Sequence, residues 1–576
     1  MAAAVSLFAS INAALLTPLP YPRAQDLYTV RTYFTSGRFT SGLIARAELL
    51  ALAGMSDAVE GASGAIRTDA VLTSGSDARE VVGYSVSSGF FEVFGVPPAL
   101  GRAFGPPDYV QGAPTQVVLS DRLWKNVFGS DPSVVGRVVS LGGANARVIG
   151  VARPGFDVPA GADLWMNVYV PDTSIGHSFE GFVRLRPTAT VASLKDRMAS
   201  AMAALGRRYP DQDDGRAYEL RPLLDDTVGD LKSILIILFL ATGLLLVLAI
   251  VNVTNLMLAR LASRRHEFAL RAALGATRWQ LVSIVLGESL AVGVAAGILG
   301  LGASWGIVHL LPALGIARLP RLDALNIGRA AVAFAGIMSV LVGLLVAAGP
   351  ALRSGRMDLA AVMNEVGRGV RTSRRTRRLL SAFVAAEIAV AIALIAGAGR
   401  LTRSYTNLQR VDPGFQADGR LVIDVMLPFE RYRGTKTTTV WWDTARDRLR
   451  AIGATHVAGA SSLPLVPHEW DSTTFVDLSS FPNIPPENRP NARWRRITPG
   501  FFQTMGIPLL TGRDFDATDS PDSPFVAIVN QAFVRRFLGD RDPLREKLVK
   551  FAFRMVGPNK FVVEDAAVVG VAADVK

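Results

Sequence analysis

The chain has 576 residues, half of them hydrophobic, and a positive mean hydropathy, which at this length points to several membrane spans as well as more than one folded domain. Cysteine is absent, which excludes disulfides, thiolate metal sites and a cysteine nucleophile, and the five histidines at 177, 266, 309, 456 and 468 never stand at the i, i+4 spacing of a helical zinc site. The net charge of +12 is not a nucleic-acid signature, because ten of the twelve excess positive charges fall in two short loops between apolar stretches.

In chain order, Ala2 to Leu16 comes first: apolar, shorter than a span, and without the Lys/Arg start of a secretory signal. It reads as the outer end of a first membrane helix, with a cleaved signal as the alternative, and either reading exports the roughly 200 residues that follow. Within those residues, short β-branched runs such as Gln116 to Leu119 and Arg147 to Val151 read as strands, and Ser120 to Phe128 reads as a helix with Ser120 as its N-cap. The region is therefore mixed α/β.

Ser233 to Ala259 carries no charge and is long enough to cross a bilayer. Further spans run from about Leu281 to Leu311, from Ala330 to Leu352 and from about Leu379 to Gly399, interrupted only by Glu288, His309 and Glu387. The first basic loop holds Arg260, Arg264, Arg265, Arg271 and Arg278 against Glu267; the second holds Arg353, Arg356, Arg368, Arg371, Arg374, Arg375, Arg377 and Arg378 against Asp358 and Glu365. Basic residues in short loops beside spans mark the cytoplasmic side. That assignment leaves Pro312 to Arg329, everything before Ser233 and everything after Gly399 outside.

The second exported region repeats the first. Val86 to Asp108 reads VSSGFFEVFGVPPALGRAFGPPD and Ile497 to Asp519 reads ITPGFFQTMGIPLLTGRDFDATD, nine identities in 23 ungapped positions. Gly89, Phe90, Phe91, Gly95, Pro97, Gly101, Arg102, Phe104 and Asp108 recur as Gly500, Phe501, Phe502, Gly506, Pro508, Gly512, Arg513, Phe515 and Asp519. Asp131-Pro132 then matches Asp542-Pro543, and Val148 to Val151 matches Val568 to Val571 after an insertion. Val526 to Val529 reads as a strand, and Asn530 to Phe537 reads as a helix with Asn530 as its N-cap. The glycines suit turns with positive φ and the paired phenylalanines suit a core, so the motif is structural. The whole unit reads as a tandem duplication whose second copy is truncated, since the first copy has about 80 more residues before its span.

At these residues the chain resembles a known family. The pattern Ser87-x-x-Phe90-Phe91-x-x-x-Gly95, then Gly101-Arg102-x-Phe104 and Val148-x-Gly150-Val151, resembles the extracytoplasmic core domain of ABC transporter permeases related to MacB and FtsX. Arg264 to Arg278, RRHEFALRAALGATR, is similar to the segment after the first post-domain span in that family. Ala386-Glu387-Ile388-Ala389, Gly399 and Val411 to Phe415 resemble the start of the second half of its duplicated members, the eight-span orphan permeases of acidobacteria, which carry no nucleotide-binding domain.

The resemblance implies the following organisation: a remnant of a first transmembrane helix (1–16), a MacB-like core domain (17–232), an FtsX-like permease domain with three spans (233–352), a basic cytoplasmic linker (353–378), the helix opening the second repeat (379–399) and a second, truncated MacB-like core domain (400–576). It also implies a multi-pass protein of the bacterial inner membrane, incomplete at both ends. Such a permease works with a separate cytoplasmic ATP-binding subunit and couples ATP hydrolysis to motion of its extracytoplasmic domains, exporting or extracting an amphipathic, lipid, peptide or drug substrate. The alternative is a mechanotransmitting scaffold that controls an extracytoplasmic partner such as a cell-wall hydrolase without transport.

Leu261 to Leu281 alternates Phe268, Leu270, Ala272, Leu274 and Leu281 with charged residues, a pattern for a helix lying on the inner membrane surface with basic groups outward, bent at Gly275. The pattern alone fits lipid binding as well as docking; the resemblance implies ATPase coupling through Arg264, Arg265, Glu267, Arg271, Gly275 and Arg278. Among intramembrane polar residues, Glu288 and Glu387 lie about two turns inside their spans. Asn252, Thr254, Asn255, Arg278 and Arg378 are their candidate partners, either for helix–helix hydrogen bonding or for proton coupling. Gly293 with Gly297, and Gly302 with Gly306, stand at the spacing that lets helices approach closely. No phosphate loop, nucleophile elbow or HExxH helix is present, so neither catalytic residues nor a cofactor are expected, and any ATP must be bound by a separate subunit.

Overall fold

The computed structural model describes residues 1–34, 42–74, 77–174, 176–209, 216–229, 231–310, 327–354, 374–427, 432, 435–465, 472–481, 491–520, 522–557 and 560–575. The chain forms two compact units: Met1–Leu19 with Leu224–Arg410, and Pro20–Leu223 with Val411–Lys576.

The first unit is helical. Its long helices are Leu231–Ser263, Arg278–Leu310, Arg329–Ser354 and Arg374–Gln409, and each contains an apolar stretch long enough to cross a bilayer. Most of the predicted outer connection Pro312 to Arg329 (312–326) and most of the predicted basic linker 353–378 (355–373) lie outside the described residues. The second and third spans meet through small residues. A side chain at Gly293 or Gly297 would collide with Ser339, and one at Gly343 would come within 2.9 Å of Leu290. Around Gly302 and Gly306, by contrast, there is nothing within 4 Å. The amino-terminal helix Ala2–Ile11, extended by one π turn over Asn12–Leu16, packs among the spans. Phe8 stacks on Phe334 at 4.1 Å between ring centroids, and Ser304 donates to the Ala2 carbonyl at 2.9 Å.

The second unit holds two mixed α/β lobes. Among the described residues of the first, eleven strands form a continuous ladder in the order Arg216–Pro222, Leu27–Phe34, Glu180–Leu185, Val59–Arg67, Gly83–Val86, Leu164–Asn167, Gln116–Leu119, Ala144–Val151, Val138–Leu141, Ala70–Ser74, Asp77–Val81, and the short strand Leu100–Gly101 joins at Ala144–Val151. The helix Phe90–Phe94 buries both motif phenylalanines in an aromatic core. Phe90 lies edge-on to Phe94 at 5.1 Å, and Phe156 meets Trp165 at 5.1 Å.

The second lobe reproduces the motif's geometry in detail. Gly89 and Gly95 bracket Phe90–Phe94 with φ of 80° and 64°, and Gly500 and Gly506 bracket Phe501–Met505 with φ of 81° and 66°. Gly101 pairs with Gly150, and Gly512 with Gly570, each in an antiparallel bridge. Val118 and Ile528 occupy matching parallel positions against Gly150 and Gly570, with a register irregularity just before each. Arg102 forms a two-pronged ion pair with Asp108 at 2.6 and 3.1 Å, and Arg513 does so with Asp519 at 2.6 and 2.8 Å. Hydrogen bonding from the arginine holds each of these carboxyls below the ordinary aspartate range. Ser120 caps Asp121–Phe128 by accepting from the Leu123 amide at 3.1 Å, and Asn530 accepts from the Phe533 amide at 3.0 Å. The second of these helices differs from its expectation: only Gln531–Phe533 is α-helical, and the chain continues as a π turn through Val534–Leu538.

Candidate coupling site

The first span runs on to Ser263, and Arg264 then leaves helical geometry with φ −97° and ψ 15°. A separate nine-residue helix, Arg265–Ala273, follows. It ends in a Schellman turn: the Gly275 amide donates to the Ala272 carbonyl and the Ala276 amide to the Arg271 carbonyl, each at 3.0 Å. Gly275 takes φ +95° there, which is why glycine suits the position. Thr277 and Gln280 start the next span reciprocally. The Thr277 amide donates to the Gln280 side chain at 2.7 Å and the Gln280 amide donates to the Thr277 hydroxyl at 3.3 Å. The surface helix expected over Leu261 to Leu281, bent at Gly275, is instead three pieces, because the break at Arg264 and the glycine turn at 275 fold the segment into a hairpin between two spans.

The apolar residues of the segment divide into two sets. Phe268 is 2% exposed and packs with Leu281 and Val285, joined by Leu261, Ala272 and Ala276. Leu270, Leu274 and Trp279 are instead 64%, 81% and 70% exposed. One face is thus rooted in the spans and the other is open.

The charges also differ from the outward array expected. Arg264 turns inward: its Nε and Nη2 donate to Glu267 at 2.8 and 3.0 Å, and its Nη1 donates to Glu288 at 2.7 Å. Arg271 reaches the same Glu267 carboxylate at 2.8 Å. Both guanidinium groups lie within about cation–π range of the Phe268 ring, at 5.8 and 6.0 Å. The hydrogen bonds that Arg264 donates to Glu267 and then to Glu288 raise its pKa, and the bond from Arg264 holds the Glu267 carboxyl low, so Arg264 and Glu267 stay ionised at neutral pH. Among the described residues, the ion-pair partner of Glu288 is thus Arg264, and not Asn252, Thr254 or Asn255 of the preceding helix. Thr254 instead donates to the Ile250 carbonyl of its own helix at 2.7 Å. Asn252 and Asn255 lie along the first span, Asn252 exposed and Asn255 half-buried. The side chains of Arg265, Arg278, Arg378 and Glu387 lie outside the described residues.

Sequence reasoning missed the inward role of Arg264 and the Thr277–Gln280 box. The box was findable, as Thr-x-x-Gln immediately before an apolar run marks a helix start. The Arg264–Glu288 pair was not, because its members stand 24 residues apart and meet only when the hairpin closes.

Two family models match the chain: the MacB-like periplasmic core domain over residues 1–201 and the FtsX-like permease C-terminal domain over residues 239–359. The chain is 25% identical over 287 residues to a macrolide export ATP-binding/permease protein MacB of Acinetobacter baylyi, a match covering 48% of this chain and 42% of that protein. It is 24% identical over 279 residues to the uncharacterized ABC transporter permease YknZ of Bacillus subtilis, covering 47% of this chain and 67% of that one. The match thus spans under half the length of MacB and about two thirds of YknZ. Among solved structures, the periplasmic region of MacB from Actinobacillus actinomycetemcomitans matches at 16% identity with a TM-score of 0.28, covering 39% of this chain and 98% of that one. Residues 1–201 thus match a MacB-like periplasmic core domain and residues 239–359 an FtsX-like permease domain, in this order, and the relatives the chain is similar to are MacB and YknZ permeases.

Proposed function

We propose that this chain is the permease part of an inner-membrane machine in which a separate cytoplasmic ATPase docks on the Arg265–Ala273 helix and its turn, and that nucleotide-driven movement there is passed through the spans to two extracytoplasmic lobes. The observation that carries this reading is the two-sided hairpin: Phe268 and the Arg264–Glu288 pair fix one side to the first and second spans, while Leu270, Leu274 and Trp279 stand open on the other. A push on the open side moves a rigidly rooted element, and the long helices it joins carry the displacement onward. A lipid-binding helix would need no ion pair tying it to the next span. The lobes are read as tandem copies of one domain, supported by their matching caps, bridges and ion pairs. Export or extraction of an amphipathic molecule is the proposed outcome, in keeping with the macrolide export named for the MacB relative.

The test is co-purification of ATPase subunits with the full chain from membranes. Leu274→Glu places a charge on the open face and leaves Phe268 and the ion cluster untouched. It should reduce the recovered ATPase about tenfold or more, the cost of desolvating a charge at an interface core. Unchanged recovery with this variant, at unchanged chain abundance, would overturn the docking role.

A further inference from the structure

The chain enters the first lobe from the amino-terminal helix through a short strap, residues 20–23, and then forms the strand Leu27–Phe34. It leaves through Arg216–Pro222, which pairs with the entry strand from Tyr28 opposite Pro222 to Phe34 opposite Arg216. Both connections therefore stand at the same end of neighbouring strands. The exit strand closes the ladder and, among the described residues, is paired along one side only. The strap is held differently.

Arg184 stands in the interior strand Glu180–Leu185, opposite Leu27 on one side and Gly61 on the other. It is 2% exposed, and burial pushes its pKa down from the ordinary arginine value, although a guanidinium remains charged at neutral pH. Its donors reach backbone carbonyls of two other segments. Nε donates to the Val93 carbonyl at 2.6 Å, and Nη1 donates to the carbonyls of Pro22 and Arg23 at 2.8 and 3.3 Å. Val93 lies in the last turn of the five-residue motif helix Phe90–Phe94, where a helix leaves carbonyls without partners of its own.

Three further contacts fix the strap. Tyr21 is buried and lies edge-on to Phe94 and Phe156, at 5.7 and 5.8 Å between ring centroids. Arg23 forms a two-pronged ion pair with Glu60 of the strand Val59–Arg67, both bonds at 2.7 Å. Pro22 rests against the end of the motif helix, where a Cβ at Gly95 would meet both the Pro22 ring and Nη2 of Arg184 at 3.7 Å. The strap is thus joined to the motif helix, to an interior strand and to the aromatic core at once.

We propose that Arg184 is a positioning residue that makes the strap and the motif helix one body, so that movement of the amino-terminal helix reaches the aromatic core of the lobe. A pull on the exit strand can peel it from the ladder one bond at a time, whereas a pull on the strap must move the clamp as a whole. The planar fork of a guanidinium suits this task, because separate nitrogens hold separate segments at fixed angles. A lysine keeps the charge but concentrates its donors at one point on a flexible stem, and it cannot bridge both segments in the same way. The proposal rests on the reading that movement passes between the spans and the lobes. Its test involves no ATPase, so a failure of docking and a failure of the clamp are told apart.

The test is a double-mutant cycle read by amide hydrogen exchange on the full chain in nanodiscs. A Cβ at Gly300 of the second span would come within 2.8 Å of Met1, so Gly300→Leu displaces the amino-terminal helix from within the helical unit. The amides of Val93, Gly95 and Val96 donate to carbonyls of the motif helix and its cap, and they report its state. Gly300→Leu should speed their exchange by about threefold or more in the otherwise native chain, and should leave it unchanged when Arg184→Lys is also present. Exchange at Gln116–Leu119, four strands along the ladder from Glu180–Leu185, should stay as it was. A pair of glycines inserted after Leu19 slackens the attachment of the strap and leaves the clamp intact, and this too should abolish the response. No response to Gly300→Leu in the native chain overturns the proposal, as does an equal response with Arg184→Lys. If Arg184→Lys speeds exchange at Gln116–Leu119 as well, the whole lobe has loosened and the insertion decides: a response that survives it overturns the proposal, and a response lost upholds it.

Discussion

Gly101 and Gly512 each sit where two backbone segments cross, and a Cβ at either would strike a carbonyl, that of Ile149 in the first lobe and that of Val569 in the second. Gly89 and Gly500 share their positive φ but have nothing within 4 Å of that position. The two kinds of glycine should therefore respond differently to alanine. Gly89→Ala bears backbone strain alone, about 1 kcal/mol. Gly101→Ala adds a backbone collision that no rotamer relieves, so about 3 kcal/mol or more is expected. Hydrogen exchange at Ala144–Val151 reads the difference: a few-fold faster for the first variant and about a hundredfold or more for the second. Equal effects would mean that the crossing yields more easily than its geometry implies. The sequence pointed to these residues, because glycine and the following arginine recur in register, but it assigned them only to turns. The crossing itself joins residues 49 apart and was not legible from local pattern.

Among elements, the four long helices and the short strands were readable because apolar length and β-branched runs are local signals. The hairpin was not, since it depends on Arg264 abandoning the outward face to neutralise Glu288, a choice decided by tertiary packing. Spacing alone was likewise unable to separate the two glycine pairs of the second span. Gly293 and Gly297 are occupied by the third span, whereas Gly302 and Gly306 face open space. Gly297→Leu should accordingly force the second and third spans apart, at a cost of about 1–3 kcal/mol for overpacking, while Gly302→Leu should be silent within this chain. Thermal aggregation of the detergent-solubilised chain distinguishes them, with a lowered midpoint expected for Gly297→Leu alone. A comparable loss with Gly302→Leu would mean that the second pair is also buried, in a contact beyond this chain.

For the whole molecule, the decisive physical asymmetry is charge. In the first basic hairpin Arg264 and Glu267 stay ionised, and moving it across an energised membrane would require carrying several guanidinium groups through hydrocarbon. The lobes carry little net charge, and their cores close around apolar side chains that fold equally well outside the cell. Absence of native cysteine makes the orientation directly testable, because single cysteines can be placed at exposed sites without background. Val138 is 52% exposed in the first lobe, Leu510 is 49% exposed in the second, and Leu274 is 81% exposed on the hairpin. With a membrane-impermeant maleimide on spheroplasts, Val138→Cys and Leu510→Cys should label, and Leu274→Cys should label only after permeabilisation. Labelling of Leu274→Cys in sealed spheroplasts, with the lobe cysteines silent, would invert the topology. It would also remove the hairpin from the reach of any cytoplasmic ATPase, so this experiment bears on the coupling proposal before any transport is measured.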